Sequence, residues 1–362
     1  MSDLEHYIKT SIEKNGPITV AEYMSLCLGH PDYGYYMKQD PFGQRGDFTT
    51  APEISQLFGE MIGAWVLQTW HDIGEPKAFH LVECGPGRGT LMQDILRVLQ
   101  IKPNFLSRIH VHMIEMSPTL RARQQDTLNG FSAQIEWHES LSEITCDAPV
   151  IFVMNEFFDA LPIHQFICSK DKWFERYVGL DDQDHLQWQN GTPGFIPTFL
   201  EHDKAPSEGD ILEFSPASIS VMSHICQFIS EHDGVALCID YGHKTSGYGD
   251  TLQAIKDHEY TDVFSTPGHA DITAHVDFQR LQETAMQYNV HTQPIVPQGA
   301  FLKHLGIEHR AKYLIQRNPN QSDKILSGLS RLVENDQMGQ LFKVLALSKH
   351  EIALAGFENV YV

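Results

Sequence analysis

The residues best placed to do chemistry form a glycine-rich run, ECGPGRGT (83–90). The run follows the apolar stretch FHLVEC (79–84) and precedes LMQDILRVLQ, in which apolar residues recur at helical spacing. At such a junction glycines adopt backbone angles closed to other residues, so a ligand can lie against the main chain at the helix N-terminus. A dinucleotide fingerprint would need its third glycine at position 90, where Thr90 stands. The run therefore predicts a ligand site of another kind.

The spacing E-x-G-x-G-x-G is typical of methyltransferases that use S-adenosylmethionine, which we therefore predict as the cofactor. Glu115 ends the next apolar run, where an acid can chelate a ribose diol. The alternative is that Glu115 is an ordinary solvated acid at the end of a strand. The glycine run before it favours the ribose-binding role. Glu139 and Ser140 could edge the adenine or belong to an ordinary loop, and both interpretations stay open. The predicted cofactor contacts here are Glu83, Gly85, Gly87, Gly89, Thr90, Glu115, Glu139 and Ser140.

A second chemical segment, NEFFDALP (155–162), follows the apolar run VIFVMN. In doubly wound sheets, polar residues after such a strand lie at the carboxyl edge, where ligands bind. The carboxylates of Glu156 and Asp159, beside Phe157 and Phe158, could hold a planar cation by hydrogen bonds and ring stacking. Alternatively, the two phenylalanines belong to the core and Asp159 caps the next turn. The sequence alone does not separate these interpretations.

The elements that must position these segments alternate between strand and helix. The runs 79–84, 109–115, 150–155 and 235–240 are short and apolar, which is typical of βαβ units in a parallel sheet. About eighty residues separate the last two runs, more than a usual crossover, so we predict an insertion with hairpin strands and a returning helix. A second long loop runs from Gly242 to about Thr273. After Pro52, apolar residues at helical spacing predict one amphipathic helix that Thr50 can cap.

Charge and composition exclude several classes of protein. The 362 residues carry 26 basic and 47 acidic side chains, a formal net charge of −21. A field of that sign repels nucleic-acid phosphates and favours a cationic protein partner, so we predict no nucleic-acid partner.

No stretch approaches the ~20 apolar residues that span a bilayer. The first residues resemble neither a signal peptide nor a transit peptide, so we expect a cytoplasmic protein.

Twenty histidines raise the question of a metal site. His258, His269 and His275 crowd the second long loop, but the HExxH motif is absent. The six cysteines contain no CxxC pair, which argues against a zinc ribbon or a redox dithiol. We therefore predict that the chain binds no metal.

Several motifs together resemble one family. GDFTTAPEISQLFGE, LVECGPGRGTLMQDIL, NEFFDALPIHQF, DYGH and HADITAHVDF are similar to motifs of the MidA family of mitochondrial and bacterial proteins, and they keep the family's order. That family includes a methyltransferase that assists respiratory complex I assembly. The resemblance implies an α/β class I methyltransferase fold with a Rossmann-like seven-stranded sheet. To this sheet the sequence adds an N-terminal helical segment and an inserted β-hairpin/helical subdomain.

The spacing of the runs and the resemblance together predict how the chain is divided. We expect residues 1–70 to cover the cofactor site, residues 71–165 and 234–362 to form the Rossmann-like domain, and residues 166–233 to form an insertion that binds the acceptor. Within the first segment, the part expected to close over the methionine end of the cofactor contains Gly46, Asp47, Thr50 and Pro52.

The implied activity is methyl transfer to an arginine of a partner protein, such as a respiratory complex subunit, presented on a cationic segment. Glu156 is then expected to hold the guanidinium, Asp159 to support it and Asn155 to fix the cofactor side. NEFF differs from the NPPY-type tetrapeptide of amide and adenine N-methylation sites, so the acceptor pocket rests on the resemblance. The alternative is a cofactor-binding assembly chaperone or scaffold with incidental or no methyl transfer.

Overall fold

The computed structural model describes residues 2–38, 50–194, 196 and 205–358. Its contacts divide the described residues into two compact units. The first unit draws on Met1–Phe48, Asp159–Ser220 and Thr245–His275, and the second on Thr49–Phe158, Val221–Lys244 and Val276–Val362. Each unit is therefore assembled from segments that are distant in the sequence.

Strands and helices alternate along the described residues. The strands are β1 Ile18–Thr19, β2 Phe79–Cys84, β3 Ile109–Ile114, β4 Gln134–His138, β5 Val150–Asn155, β6 His164–Ser169, β7 Lys172–Leu180, β8 Leu186–Gly194, β9 Ile211–Phe214, β10 Gly234–His243, β11 Gln253–Lys256, β12 Glu259–Thr261, β13 Asp271–Thr273, β14 Val276–Asp277, β15 His291–Thr292, β16 Val296–Pro297 and β17 Phe342–Ser348. The α-helices are α1 Asp3–Asn15, α2 Val20–Gly29, α3 Tyr35–Lys38, α4 Ala51–Ile54, α5 Gln56–Asp72, α6 Thr90–Leu99, α7 Pro118–Leu128, α8 Pro216–His232, α9 Phe278–Met286, α10 Gln298–His304, α11 Ile307–Arg317, α12 Ser322–Val333 and α13 Met338–Leu341. None of these helices is both long and apolar enough to cross a bilayer.

The large sheet belongs to the second unit and contains the predicted strands. Its main path is β15-β17-β10-β5-β2-β3-β4, and the short strands β14 and β16 pair with β10 and β17. From β10 to β4 all neighbours are parallel, whereas β17 is antiparallel to both of its neighbours in the path. The predicted seven-stranded methyltransferase sheet is thus confirmed, and the two short strands extend it to nine.

The register of the central strands places the chemical segments at one edge. The strands β2 and β5 are buried along their whole length, because parallel sheets are covered on both faces. Cys84 lies opposite Ile114 of β3 and Met154 of β5. The residues that follow these three strands therefore emerge at the same carboxyl edge, where ligands bind in such sheets.

The helical stripe after Pro52 is divided into two helices, not one as predicted. Ser55 has an extended backbone (φ −158°, ψ 130°) between α4 and α5. Its hydroxyl accepts the N–H of Leu57 at 3.3 Å and so caps α5. Thr50 is the N-cap of α4, but its side chain makes no capping hydrogen bond.

The first unit contains two antiparallel sheets. One follows the order β1-β7-β6-β9 with β8 paired to β7, and the other is β12-β11-β13. Its core joins Leu4 and Ile8 of α1 with Tyr23 of α2 and with Ile272 of β13. The inserted hairpins are present, and the turn between β6 and β7 consists of Lys170 and Asp171.

Candidate active site

The glycine-rich run forms a tight turn between β2 and α6 in the second unit. Gly85, Gly87 and Gly89 have φ angles of 64°, 51° and 78°, in the left-handed region that favours glycine. Gly89 donates its N–H to Pro86 O at 2.7 Å, and Gly85 donates to Ile114 O at 3.1 Å. Helix α6 then begins with Gly89 as its N-cap. Main chain rather than side chain therefore lines the turn.

Gly85 lies against the loop that follows β5. A Cβ atom added at Gly85 would stand 2.9 Å from Phe157 Cδ2, closer than real Cβ contacts allow. The Phe157 ring also packs edge-on against Phe158, with centroids 5.3 Å apart. The glycine turn and the NEFF segment are therefore in direct contact.

Glu115 is buried after β3, and a hydrogen-bond network holds its carboxylate. Oε1 accepts the N–H of Ser117 at 2.8 Å, and Oε2 accepts Gln124 Nε2 at 3.1 Å. Gln124, fully buried, also donates to Gly87 O at 2.7 Å and accepts Trp137 Nε1 at 2.9 Å. Burial raises the pKa of Glu115. Gln124 thus links this carboxylate to the glycine turn.

Glu83 lies buried near the end of β2, beneath the turn. Its carboxyl group accepts the backbone N–H of Met92, and its Oε2 has no hydrogen-bond partner among the described residues. Burial, and then the negative charge of Glu115, raise the pKa of Glu83 well above its ordinary value. Two buried carboxyl groups therefore stand close enough to influence one another, and together they favour a cationic ligand.

Helix α4 brings a third carboxylate to the turn. Thr90 Oγ1 donates to Glu53 Oε1 at 2.5 Å, and Arg88 Nη1 lies 3.8 Å from Glu53 Oε2. Glu53 has no local sequence signal, since its partners lie more than thirty positions away in the chain.

The remaining predicted cofactor contacts follow β4 in the sequence or belong to the segment that ends at Pro52. Glu139 and Ser140 are exposed after β4, and Arg121 Nη2 lies 3.8 Å from Glu139 Oε1. Pro52 is buried within α4, while Thr50 is partly exposed before it. Two predicted contacts lie outside the described residues and stay predictions, namely Gly46 and Asp47.

The loop after β5 holds Glu156 in a strained conformation. Its φ of 51° lies in the left-handed region, which is uncommon for residues other than glycine and is often found at functional sites. Glu156 Oε1 accepts the N–H of Ala51 and Asn155 Nδ2, both at 2.9 Å. Its own N–H donates to Ile239 O at 2.9 Å. The loop is therefore fixed both to α4 and to β10.

Asp240, near the end of β10, fixes the same loop from below. Its Oδ2 accepts the N–H groups of Phe157 at 3.0 Å and Phe158 at 2.9 Å, and its Oδ1 accepts the N–H of Tyr241 at 2.9 Å. Asp240 is fully buried, so these charge-assisted hydrogen bonds are shielded from water. In the sequence, Asp240 is marked only as the first residue of the family motif DYGH.

Asp159 belongs to the first unit, with Tyr36 and Asp271. Tyr36 donates its hydroxyl to Asp271 Oδ1 at 2.9 Å, and Ala274 donates its N–H to Asp159 O at 3.0 Å. Burial, and then the negative charges of Asp271 and Asp159, raise the pKa of Tyr36 well above its ordinary value. Of the predicted catalytic residues, Asn155 and Glu156 therefore lie together in the second unit, and Asp159 is part of another cluster.

The chain matches one known protein family over most of its length. Residues 61–296 match the model of a family of S-adenosyl-L-methionine-dependent methyltransferases. The chain belongs to this family, the MidA family. The activity is thus methyl transfer, and the predicted cofactor, S-adenosylmethionine, is confirmed.

Relatives in the MidA family match nearly the whole chain. The mitochondrial protein arginine methyltransferase NDUFAF7 of Xenopus laevis is 36% identical over 96% of this chain and 84% of its own length. The human protein of that name is also 36% identical, over 95% of this chain and 83% of its own length. A COG1565 superfamily structure from Burkholderia thailandensis, bound to S-adenosyl-homocysteine, has a TM-score of 0.82 and 26% identity, covering 98% of this chain and 94% of that one.

The relatives correct one prediction. The proteins from frog, human and nematode are named mitochondrial, so the predicted cytoplasmic location is wrong. That prediction rested on the composition of the first residues, and the charge and apolar content of a short segment do not determine a compartment.

The residues of the second unit fit the cofactor of the MidA family. S-adenosylmethionine carries positive charge on its sulfonium and amino groups, and Glu53, Glu83 and Glu115 surround the turn with carboxyl groups. Oε2 of Glu83 and Oδ1 of Asn155 are buried with no hydrogen-bond partner among the described residues, so both can accept from a ligand. Glu115 retains lone pairs for a ribose diol beyond those that accept from the backbone and from Gln124.

Proposed function

We propose that this chain transfers the methyl group of S-adenosylmethionine to an arginine side chain of a partner protein. The observation that carries the proposal is the contact of Phe157 with Gly85, which joins the carboxylate-bearing loop to the glycine turn. The choice of arginine is supported by the relatives, which are named protein arginine methyltransferases.

The chemistry requires strict positioning of the acceptor. A guanidinium is a poor nucleophile, because its lone pairs are delocalised and its pKa exceeds ~12. The bound cofactor supplies an electrophilic methyl group on a sulfonium sulfur. Holding an acceptor nitrogen in line with that group can lower the barrier by roughly 7 to 11 kcal/mol. The task of the chain is therefore to orient the guanidinium and to hold its charge on the other nitrogens.

Glu156 is the residue to which we assign that task. Its carboxylate accepts the N–H of Ala51 in α4, and its backbone N–H donates to Ile239 O of β10, so the carboxylate position is fixed before the acceptor arrives. A carboxylate can accept two parallel N–H groups of a guanidinium, provided its bond to Ala51 is shared or exchanged. Asn155, which donates to the same carboxylate, is assigned to the cofactor side through its buried Oδ1.

Asp159 is assigned a supporting role. It is buried in the first unit in a cluster that contains a second carboxyl group, Asp271, and the hydroxyl of Tyr36. Buried carboxyl groups of like charge are stabilised when a cation lies beside them. The cluster thus has the chemistry to receive part of an arginine or a neighbouring basic residue of the acceptor.

The partner we propose is a protein with an arginine in a cationic segment, and a respiratory complex subunit is the first class to test. The net charge of −21 favours such a segment over nucleic acid. We assign acceptor recognition to the inserted residues 166–233 and to the loop 242–273, because loops and insertions on a sheet scaffold commonly bind the partner.

The deciding experiment compares Glu156→Gln with Glu308→Gln, an exposed acid on α11 of the same unit. Each protein is incubated with methyl-labelled S-adenosylmethionine and the proteome of a strain that lacks this protein, and cofactor affinity is measured by calorimetry. Glu156→Gln keeps the shape of the side chain and removes its charge. We expect unchanged cofactor affinity and methyl transfer lowered by about 100-fold or more, with methylarginine as the wild-type product.

The outcomes separate the alternatives. Near-normal transfer by Glu156→Gln would exclude Glu156 as the catalytic carboxylate and direct attention to Asp159 and Asp271. Tight cofactor binding by the wild-type chain without any labelled protein would favour the assembly chaperone. A labelled residue other than arginine would refute the proposed acceptor.

A further inference from the structure

Three histidines of the large sheet lie in a row on one face of β2, β3 and β4. His80 Nδ1 is 2.8 Å from His112 Nε2, and His112 Nδ1 is 2.9 Å from His138 Nε2. Glu136 is the β4 partner of His112 in the register and shares its face with His138, two residues later. Adjacent strands thus bring together residues that no local sequence motif connects.

We infer that His112, Glu136 and His138 form a binding site for a divalent transition metal ion of the zinc class. One ligand atom from each residue lies within 4.8 Å of the others. Zinc binds imidazole nitrogen at about 2.0–2.1 Å, so two neighbouring ligands stand roughly 3 Å apart. The facing nitrogens of His112 and His138 are 2.9 Å apart, which matches that geometry.

The carboxylate completes a three-residue ligand set. Glu136 Oε2 lies 4.0 Å from His138 Nε2, and the Glu136 side chain is half exposed, so it can rotate toward the ion without disturbing the core. Two imidazoles and one carboxylate favour zinc-class ions over calcium or magnesium, which prefer oxygen ligands. Three protein ligands leave the fourth position to water.

Partners of the second ring nitrogens support the same assignment. His112 Nε2 contacts His80, and His80 Nε2 lies 3.1 Å from Asp147 Oδ1. On the other side, His138 Nδ1 lies 4.0 Å from Glu143 Oε2. Metal-binding histidines direct their free ring nitrogen to such acceptors, which orient the ring and raise its basicity.

This inference departs from the prediction that the chain binds no metal. That prediction considered ligand spacing along the sequence and the histidines of the long loop. Glu136 and His138 lie two residues apart on β4, but His112 comes from β3, so only the strand register brings the three ligands together. The site is separate from the proposed methyl transfer and does not depend on it.

The test is the binding of zinc chloride to the chelator-treated full chain, measured by competition with a chromophoric chelator and by cobalt substitution. We expect one equivalent of tightly bound zinc and a visible cobalt spectrum typical of a four-coordinate site. His138→Gln should weaken zinc binding by more than about 100-fold, and His80→Gln, which removes an outer partner, by about 10- to 100-fold. His309→Gln, an exposed histidine on α11 of the same unit, is the matched control and should leave the affinity unchanged.

A second variant distinguishes the loss of a zinc ligand from the loss of the fold. Glu136 is half exposed, so Glu136→Gln should fold like the wild type while weakening zinc binding by about 10-fold or more. No saturable zinc binding by the wild-type chain, or equal affinities in His138→Gln, Glu136→Gln and His309→Gln, would overturn the inference.

Discussion

Single side chains connect the glycine turn to the structure around it. Gln124 contacts Gly87, Glu115 and Trp137, so one amide ties the turn to two strand ends. Asp240 holds the loop after β5 by two backbone N–H groups. Because Phe157 of this loop also lies against Gly85 of the turn, the positions of the turn and of the loop depend on each other.

Gly85→Ala tests that interdependence. An alanine would have to adopt a φ of 64°, which costs about 1 to 2 kcal/mol, and its Cβ would displace Phe157. We expect cofactor affinity to fall by about tenfold or more, measured by calorimetry. Gly130→Ala is the control, since nothing lies within 4 Å of its added Cβ. Equal affinities in the two variants would show that the contact of Gly85 with Phe157 does not shape the cofactor site.

The protonation of His112 gives a prediction about pH. In the metal-free protein, burial, and then the charges of His80 and His138, lower the pKa of His112 from 6.5 to about 4, against a small opposing effect of Glu136. The unfolded chain therefore binds more protons at this residue, and its contribution to stability is present above about pH 6.5. That contribution decreases as the pH falls toward 4, by up to about 3 kcal/mol.

Two measurements check this behaviour. Nuclear magnetic resonance of the His112 ring should show titration near pH 4, and chemical denaturation should show a smaller loss of stability between pH 7 and pH 4 in His112→Gln than in the wild type. A ring that titrates near 6.5 would contradict the prediction. Acids such as Glu83 and Glu115, whose pKa values are raised, change stability in the opposite direction, so only the difference between the two proteins is informative.

The sequence predicted one kind of site residue and missed another. Glycines at fixed spacing and an acid after a strand are local signals, and they located Gly85 and Glu115 at one edge of the sheet. Gln124, Asp240 and His112 carry no local signal. Apart from Tyr241, which is adjacent to Asp240, their partners lie between 9 and 83 positions away, and only the fold brings them together.

At the scale of elements, helix and strand boundaries depend on single residues. The apolar stripe after Pro52 continues through both α4 and α5, so periodicity alone predicted one helix. Ser55 interrupts it because its hydroxyl caps the new helix while its own backbone stays extended. Strands of the parallel sheet were easier to predict, since continuous apolar runs of that length are typical of buried strands.

The turn between β6 and β7 offers an element-scale prediction. Lys170 and Asp171 have φ angles of 51° and 58°, as in a two-residue type I′ hairpin turn, where Asn-Gly is preferred. We expect Asp171→Gly to stabilise the hairpin by about 0.5 to 1 kcal/mol, seen as slower hydrogen exchange of the β6 and β7 amides. Asp182→Gly, at an exposed turn position without positive φ, should bring no such gain. Equal exchange rates in the two variants would rule out backbone strain at this turn.

For the whole molecule, charge is the property most relevant to partners. A net charge of −21 should attract a cationic acceptor over distances that salt shortens. We expect the KM for the acceptor protein to rise by about tenfold between low ionic strength and 1 M salt, while cofactor affinity changes little. A KM independent of salt would mean that the acidic surface does not steer the acceptor.

The domain limits and the acceptor role of the insertion stay predictions.

The way in which the first unit is assembled has a consequence for synthesis. During synthesis, Tyr36 cannot form its hydrogen bond until Asp271, which lies 235 positions later in the chain, has been added. At 5 to 20 residues per second, a ribosome takes roughly 10 to 50 s to cover that distance. During this interval the apolar faces of α1 and α2 have no strand β13 to cover them. A nascent chain of this design therefore needs either chaperones at the ribosome or a slow rate of aggregation to reach its folded form.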